Sequence, residues 1–352
     1  MGHNRYQLIY MLTVLFILSG CMANDADVLV EPAPANQTDP TTSLWLVDWE
    51  DHLSTKDLTT INTPIDQLLL FTVYFDANND LYLTDEGLAL IEQVKMKHNE
   101  STHYLTFVND QFLTDGSTIQ KSPALLEALL ASETTIEQHI EAIVTLISTH
   151  DVLNVEIDYE QIPNHLIDPF LTFITQLNQR LTAISADLRV VLEPSFPIED
   201  VSLPEDVTFI VMTYNLHGFH GGPGPKTDYQ LLNQLTEAYK PYGRQIGYAL
   251  SNGGFFFSDQ DTIVALTEAE IVSLIETNQL VPTRDPKSDA NYVSLSLNGE
   301  TGILWYADAV TLTNWSTFIS NHSTPADISI WRAGGISDYT RTFFDTYNTR
   351  TE

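Results

Sequence analysis

The chain has 352 residues, 43% of them hydrophobic and 10% aromatic, which is enough apolar material to bury a sizeable core and excludes a disordered chain. Asp and Glu number 47 against 15 Lys and Arg, a formal net charge of −32. Such a surface repels nucleic acid and anionic lipid, so nucleic-acid partners are excluded and any membrane attachment must be other than electrostatic.

In chain order, Arg5 precedes an apolar run from Leu8 to Leu18 that ends at Leu18-Ser19-Gly20-Cys21. The run is too short and too one-sided for a comfortable membrane span, and it reads as a signal peptide over 1–21. Cys21 is the only cysteine, so the chain has no internal disulfide framework. Leu-Ser-Gly-Cys resembles the bacterial lipoprotein box, in which the cysteine becomes the new N-terminus and carries lipid. On that resemblance the protein is exported to the bacterial cell envelope and held to a lipid bilayer through Cys21. The alternative is an ordinary cleaved signal with a coincidental cysteine. Residues 22–43 are rich in Asp, Pro, Ala and Thr with no apolar period, and read as a flexible tether.

From Leu44 onward, short apolar runs alternate with longer stretches of helical period, the pattern of repeated βα units. Eight candidate strands follow: Leu44 to Trp49, Leu68 to Phe75, Tyr104 to Asn109, Leu153 to Tyr159, Arg189 to Glu193, Phe209 to Tyr214, Gln245 to Leu250 and Ile328 to Trp331. Helices are predicted over Thr84 to His98, Thr134 to Thr149, Pro169 to Ser185 and Asp228 to Tyr239. Eight parallel strands close a barrel, so residues 44–352 are expected to form an α/β fold, a (β/α)8 TIM barrel. The long connection at about 251–308 holds a helical segment, Thr267 to Glu276, and two β-like runs, Tyr292 to Leu297 and Gly302 to Tyr306. It reads as a small α+β insertion after the seventh strand.

Most buried parallel strands are apolar throughout, yet the fourth carries Asn154, Glu156, Asp158 and Glu160 at every second position. A side-chain period of two puts these four on one face, with Val155, Ile157 and Tyr159 on the other. Packed on helices, the second set leaves the polar set facing the barrel interior and its C-terminal mouth, where active sites of such barrels lie. Three aligned carboxylates cannot all ionise in a partly desolvated site, so at least one proton is retained near neutral pH, as a general acid requires. A solvent-exposed edge strand and a divalent-metal site built from the same carboxylates are the alternatives.

Val155-Glu156-Ile157-Asp158-Tyr159-Glu160 resembles the signature of glycoside hydrolase family 18, Asp-Gly-x-Asp-x-Asp-x-Glu. Glu160 and Asp158 match it; Glu156 stands where Asp or Asn is usual, and Leu153 and Asn154 replace the leading Asp-Gly. Met212-Thr213-Tyr214-Asn215 resembles the Met-x-Tyr-Asp/Asn of the family's sixth strand, followed by His217-Gly218 and Gly222-Pro223-Gly224-Pro225 in its loop. Ile328-Ser329-Ile330-Trp331-Arg332 resembles its last strand, whose Trp forms the floor of the sugar pocket. Trp305-Tyr306-Ala307-Asp308 is similar to the spore-cortex and peptidoglycan-cleaving branch.

The resemblance implies hydrolysis of β-1,4 bonds next to N-acetylglucosamine, with the substrate's own acetamido oxygen as nucleophile. Glu160 would be the proton donor, Asp158 the partner of the acetamido N–H, and Tyr214 the residue that orients the acetamido oxygen. Trp331, Asn215 and Glu156 would bind substrate, Glu156 more by tuning Asp158 than by touching sugar, and Glu193 at the end of the fifth strand and Tyr248 on the seventh would line the cleft. The implied partner is a glycan containing N-acetylglucosamine, and a monomer without cofactor is expected. His217, His220 and Asp228 lack a supportive third-ligand spacing for zinc, so no required metal is expected. Phe255, Phe256 and Phe257 either stack on sugar faces or pack beneath the insertion. Two other functions stay open, a non-catalytic sugar-binding lipoprotein on the same barrel and a hydrolase using a metal at the acidic strand.

Overall fold

The computed structural model describes residues 40–348. The expected signal peptide, the expected lipidation site Cys21 and nearly all of the expected tether lie outside the described residues. Eight parallel strands run Thr42–Val47, Gln67–Phe75, Thr102–Phe112, Asn154–Asp158, Leu188–Leu192, Thr208–Met212, Ile246–Ser251 and Ile328–Trp331. Each pairs with the next in sequence, and the eighth closes on the first through Thr42 with Ile328 and Leu44 with Ile330, so the sheet is a closed barrel. The first strand begins two residues inside the predicted tether, because Thr42 and Ser43 already pair with the eighth strand. Two short strands, Leu81–Leu83 and Thr118–Ile119, add antiparallel to the second and third at the barrel's C-terminal end.

Alternation sorts the strand side chains into two layers. Outward residues such as Val155, Ile157 and Tyr159 join the core between barrel and helices, where the amphipathic helix Ile167–Thr182 buries Phe170, Phe173, Ile174, Leu177 and Leu181. That helix ends three residues before its predicted limit. Tyr159 bonds His139 at 2.8 Å in this layer, and burial holds the imidazole pKa down at about 3, so it stays neutral. Helix starts are capped by their own side chains: Thr84 accepts from Gly87 N and Asp228 from Leu231 N, both at 2.8 Å.

The interior layer is not wholly apolar. Arg189, only 1% exposed, donates from Nε to Glu156 Oε2 at 3.0 Å and from its two terminal nitrogens to Ser43 Oγ and Ser329 Oγ, also at 3.0 Å. Trp45 Nε1 and Thr106 Oγ1 donate to Glu156 Oε1 at 2.7 and 2.8 Å. These bonds tie five of the eight strands together across the barrel axis.

The insertion is a five-stranded antiparallel sheet of Gly254–Ser258, Ile263–Leu266, Thr283–Arg284, Asn291–Leu297 and Glu300–Tyr306, with the helix Glu268–Thr277 beside it. Its central hairpin turns at Asn298-Gly299, both with positive φ, as a two-residue turn between twisted strands demands. Phe256, Ile271, Val293, Leu295, Leu304 and Tyr306 form its own small core. Glu268, 1% exposed, fastens this unit to the barrel by accepting from Ser337 N and Thr340 Oγ1, both at 2.7 Å.

Candidate active site

The fourth strand delivers its acidic face as the alternation requires, but its members separate with depth. Glu156 lies at the inner level, fully buried and bonded on all sides. Asp158 lies above it at 7% exposure, and Glu160, just past the strand, stands at the mouth. A cleft of about 940 Å³ opens there, lined by Asp158, Glu160, Met212, Tyr214, Asn215 and Trp331, with Asp48, Tyr74 and Lys121 on its walls.

Asn109, late in the third barrel strand and 1% exposed, positions Glu160. Its side-chain amide donates to Glu160 O and its amide oxygen accepts from Glu160 N, both at 2.9 Å. The Glu160 carboxylate accepts from Lys121 Nζ at 2.5 Å and lies beside the Glu193 carboxyl. Burial raises the Glu160 pKa, Lys121 lowers it and Glu193 raises it, leaving it at about 7. Asp158 is held well above the usual carboxylate range, first by burial and then by the charges of Glu160 and Glu156. Its Oδ1 is buried without a hydrogen-bond partner. Tyr214 faces these groups, and burial together with Asp158, Glu160 and Glu156 keeps its phenol protonated.

Trp331 forms one surface of the cleft, braced edge-on by Trp45 at 5.8 Å and Phe71 at 5.2 Å between ring centroids. The peptide between Trp331 and Arg332 is cis. Asn215 lines the cleft while its carbonyl receives His220 Nε2 at 2.9 Å. His217 Nδ1 donates to Gly222 O at 2.9 Å. Both histidines thus shape the loop that carries Asn215 and Phe219, and Asp228 is spent on a helix cap. Among the described residues no group of three or more His, Cys, Asp or Glu is placed to hold a metal ion.

Two expectations need correction. Glu156 cannot contact a substrate, because it is 0% exposed and committed to Trp45, Thr106 and Arg189. Tyr248, on the seventh strand, points outward into the core between barrel and helices and is not a cleft residue. Of the two alternatives for the phenylalanines, packing holds for Phe256 in the insertion core; Phe257 is also buried, at 3% exposure, and the half-buried Phe255 lies edge-on to Phe219 at 5.2 Å. Glu193 acts on Glu160, and its Oε2 accepts from Gln161 N at 2.6 Å.

Several site residues were not legible as such. Asp48 closes the first strand and accepts from Tyr74 OH at 2.7 Å and Thr84 Oγ1 at 2.6 Å, its pKa raised by burial. Its place at a strand's C-terminal end was the available signal. Asn109 and Asp110 carry the same signal on the third strand, whereas Lys121 sits in a loop that carries none.

No family model matches the sequence, and no curated protein matches it significantly. Solved structures do match in fold. The spore cortex-lytic enzyme SleL of Bacillus cereus superposes with a TM-score of 0.72 at 15% identity, over 88% of this chain and 74% of that one. A class V chitinase from Pseudomonas fluorescens Pf-5 gives 0.72 at 17% identity, over 89% and 100%. A mutant class V chitinase from Nicotiana tobaccum, solved in complex with NAG4, gives 0.69 at 11% identity, over 88% and 99%. The barrel is therefore the fold shared by chitinases and spore cortex-lytic enzymes.

Proposed function

We propose that this protein is a retaining glycosidase that hydrolyses β-1,4 bonds of N-acetylglucosamine-containing glycans, either peptidoglycan or chitin-type oligosaccharides, by substrate-assisted catalysis. The observation that carries the proposal is the stacked pair at the barrel mouth. Glu160 is poised at about 7, directly above an Asp158 whose buried Oδ1 lacks a partner, with Tyr214 facing both. A carboxyl with that pKa is protonated in a large fraction of molecules near neutrality, which suits proton donation to a leaving sugar.

In the proposed reaction Glu160 protonates the glycosidic oxygen as the C–O bond breaks, and the acetamido oxygen of the same sugar attacks the anomeric carbon. The resulting oxazolinium is positive, and Asp158 accepts a hydrogen bond from its N–H. Tyr214 donates toward the acetamido oxygen, and Trp331 supplies an apolar floor for the sugar ring. Glu160, now a carboxylate, takes a proton from the water that opens the intermediate, so the anomeric configuration is retained. The presence of the acid favours catalysis over a purely sugar-binding role. We also propose that the enzyme is exported and lipid-anchored through Cys21.

Substrate assistance requires the N-acetyl group. Fully N-acetylated chitin oligomers and purified peptidoglycan are expected to yield β-anomeric products, read by proton NMR in the first minutes, while N-deacetylated oligomers of the same length remain uncut. Equal cleavage of the deacetylated oligomers would contradict the mechanism.

A further inference from the structure

Lys121 is the one cation among the residues lining the cleft, and it is held there by more than its own side chain. Its backbone sits in the left-handed region at φ 51°, and its N–H donates to Asp110 Oδ1 at 2.7 Å. The next residue, Ser122, donates from N to Asn109 O at 2.8 Å and caps the helix Pro123–Leu129 by accepting from Leu125 N at 3.2 Å. Asn109 is also the residue that clamps the Glu160 backbone. One residue therefore holds Glu160 through its side chain and Ser122, the neighbour of Lys121, through its carbonyl, and the Lys121 ammonium meets Glu160 Oε2 at 2.5 Å.

We propose that Lys121 is a positioning residue for the reaction: its ammonium orients the Glu160 carboxyl and sets the pH above which the acid is lost. Every other titratable group facing Glu160 acts the opposite way or carries no positive charge. Asp158 ends the fourth strand two residues before Glu160, Glu193 follows the fifth, Tyr214 follows the sixth, and Asp110 lies on the third. Both influences that lower the affinity of Glu160 for its proton come from Lys121. Without them, burial and the neighbouring carboxylates act unopposed. The carboxyl then stays protonated to higher pH, a weaker acid for the first half of the reaction and a stronger base for the second.

The proposal rests on Glu160 being the acid, and its test separates the two. In Lys121→Met the alkaline limb of the kcat/KM profile is expected to move up by about one pH unit or more. Lys121→Arg, which keeps the charge, is expected to leave the limb in place. Lys121→Gln is measured in parallel, in case the Met variant fails to fold. Independently of activity, the Glu160 carboxyl is titrated by carbon NMR in the wild type and both neutral variants, its signal assigned by its absence in Glu160→Gln. An upward shift in the neutral variants supports the role of Lys121 even if no glycan is cleaved, in which case the glycosidase proposal alone fails. An unmoved titration and an unmoved limb overturn the role of Lys121, whether or not Glu160→Gln abolishes hydrolysis.

Discussion

At Glu160, burial and the Glu193 carboxylate push the proton on while Lys121 pushes it off, and the balance falls at about 7. A general acid works only while protonated, so kcat/KM of the wild type is expected to fall as pH rises through about 7, read from a pH–rate profile on a short N-acetylated oligomer. A profile flat to pH 9 would contradict that assignment. Asp158 contributes differently: its Oδ1 is buried with no protein partner, a cost that an acetamido N–H would remove on binding. The acidic run was legible because its period of two is local, and so was the retention of a proton within it. Lys121 was not, since it meets Glu160 from 39 residues away in a loop without pattern.

Within the barrel, the fourth and fifth strands are joined by the Glu156–Arg189 pair, both side chains at 1% exposure or less. Arg189→Met would leave Glu156 buried and uncompensated while Ser43 and Ser329 lose a donor. A loss of about 3–5 kcal/mol is expected from removing one partner of such a pair, measured by urea unfolding. A loss under about 1 kcal/mol would mean that the interior is hydrated or relaxes freely. This pair explains why Glu156 departs from the shorter residue of the resembled signature: one carboxylate oxygen reaches Arg189 and the other takes Trp45 and Thr106. A lone arginine in an otherwise apolar strand gave no hint of it, because its partner lies 33 residues earlier. The strands themselves were legible wherever their cores are apolar. Their ends were less so: the third runs to Phe112 past the predicted Asn109, since Asp110 and Gln111 are polar residues whose backbone still pairs. In the insertion, strands such as Thr283–Arg284 are too short to show a period.

For the whole molecule, a net charge of −32 opposes any electrostatic hold on an anionic membrane, so the proposed attachment would rest on apolar chains at Cys21. Cys21→Ser is expected to move the protein from the membrane fraction to the soluble fraction of lysed cells, followed by immunoblotting. Unchanged membrane association would refute the lipid anchor.

The most direct measurement compares the wild type with Glu160→Gln on N-acetylated chitin oligomers and on purified peptidoglycan, with products weighed by mass spectrometry and the fold checked by circular dichroism. An intact fold and a fall in hydrolysis of several orders of magnitude are expected. Undiminished cleavage by a folded Glu160→Gln variant would contradict it.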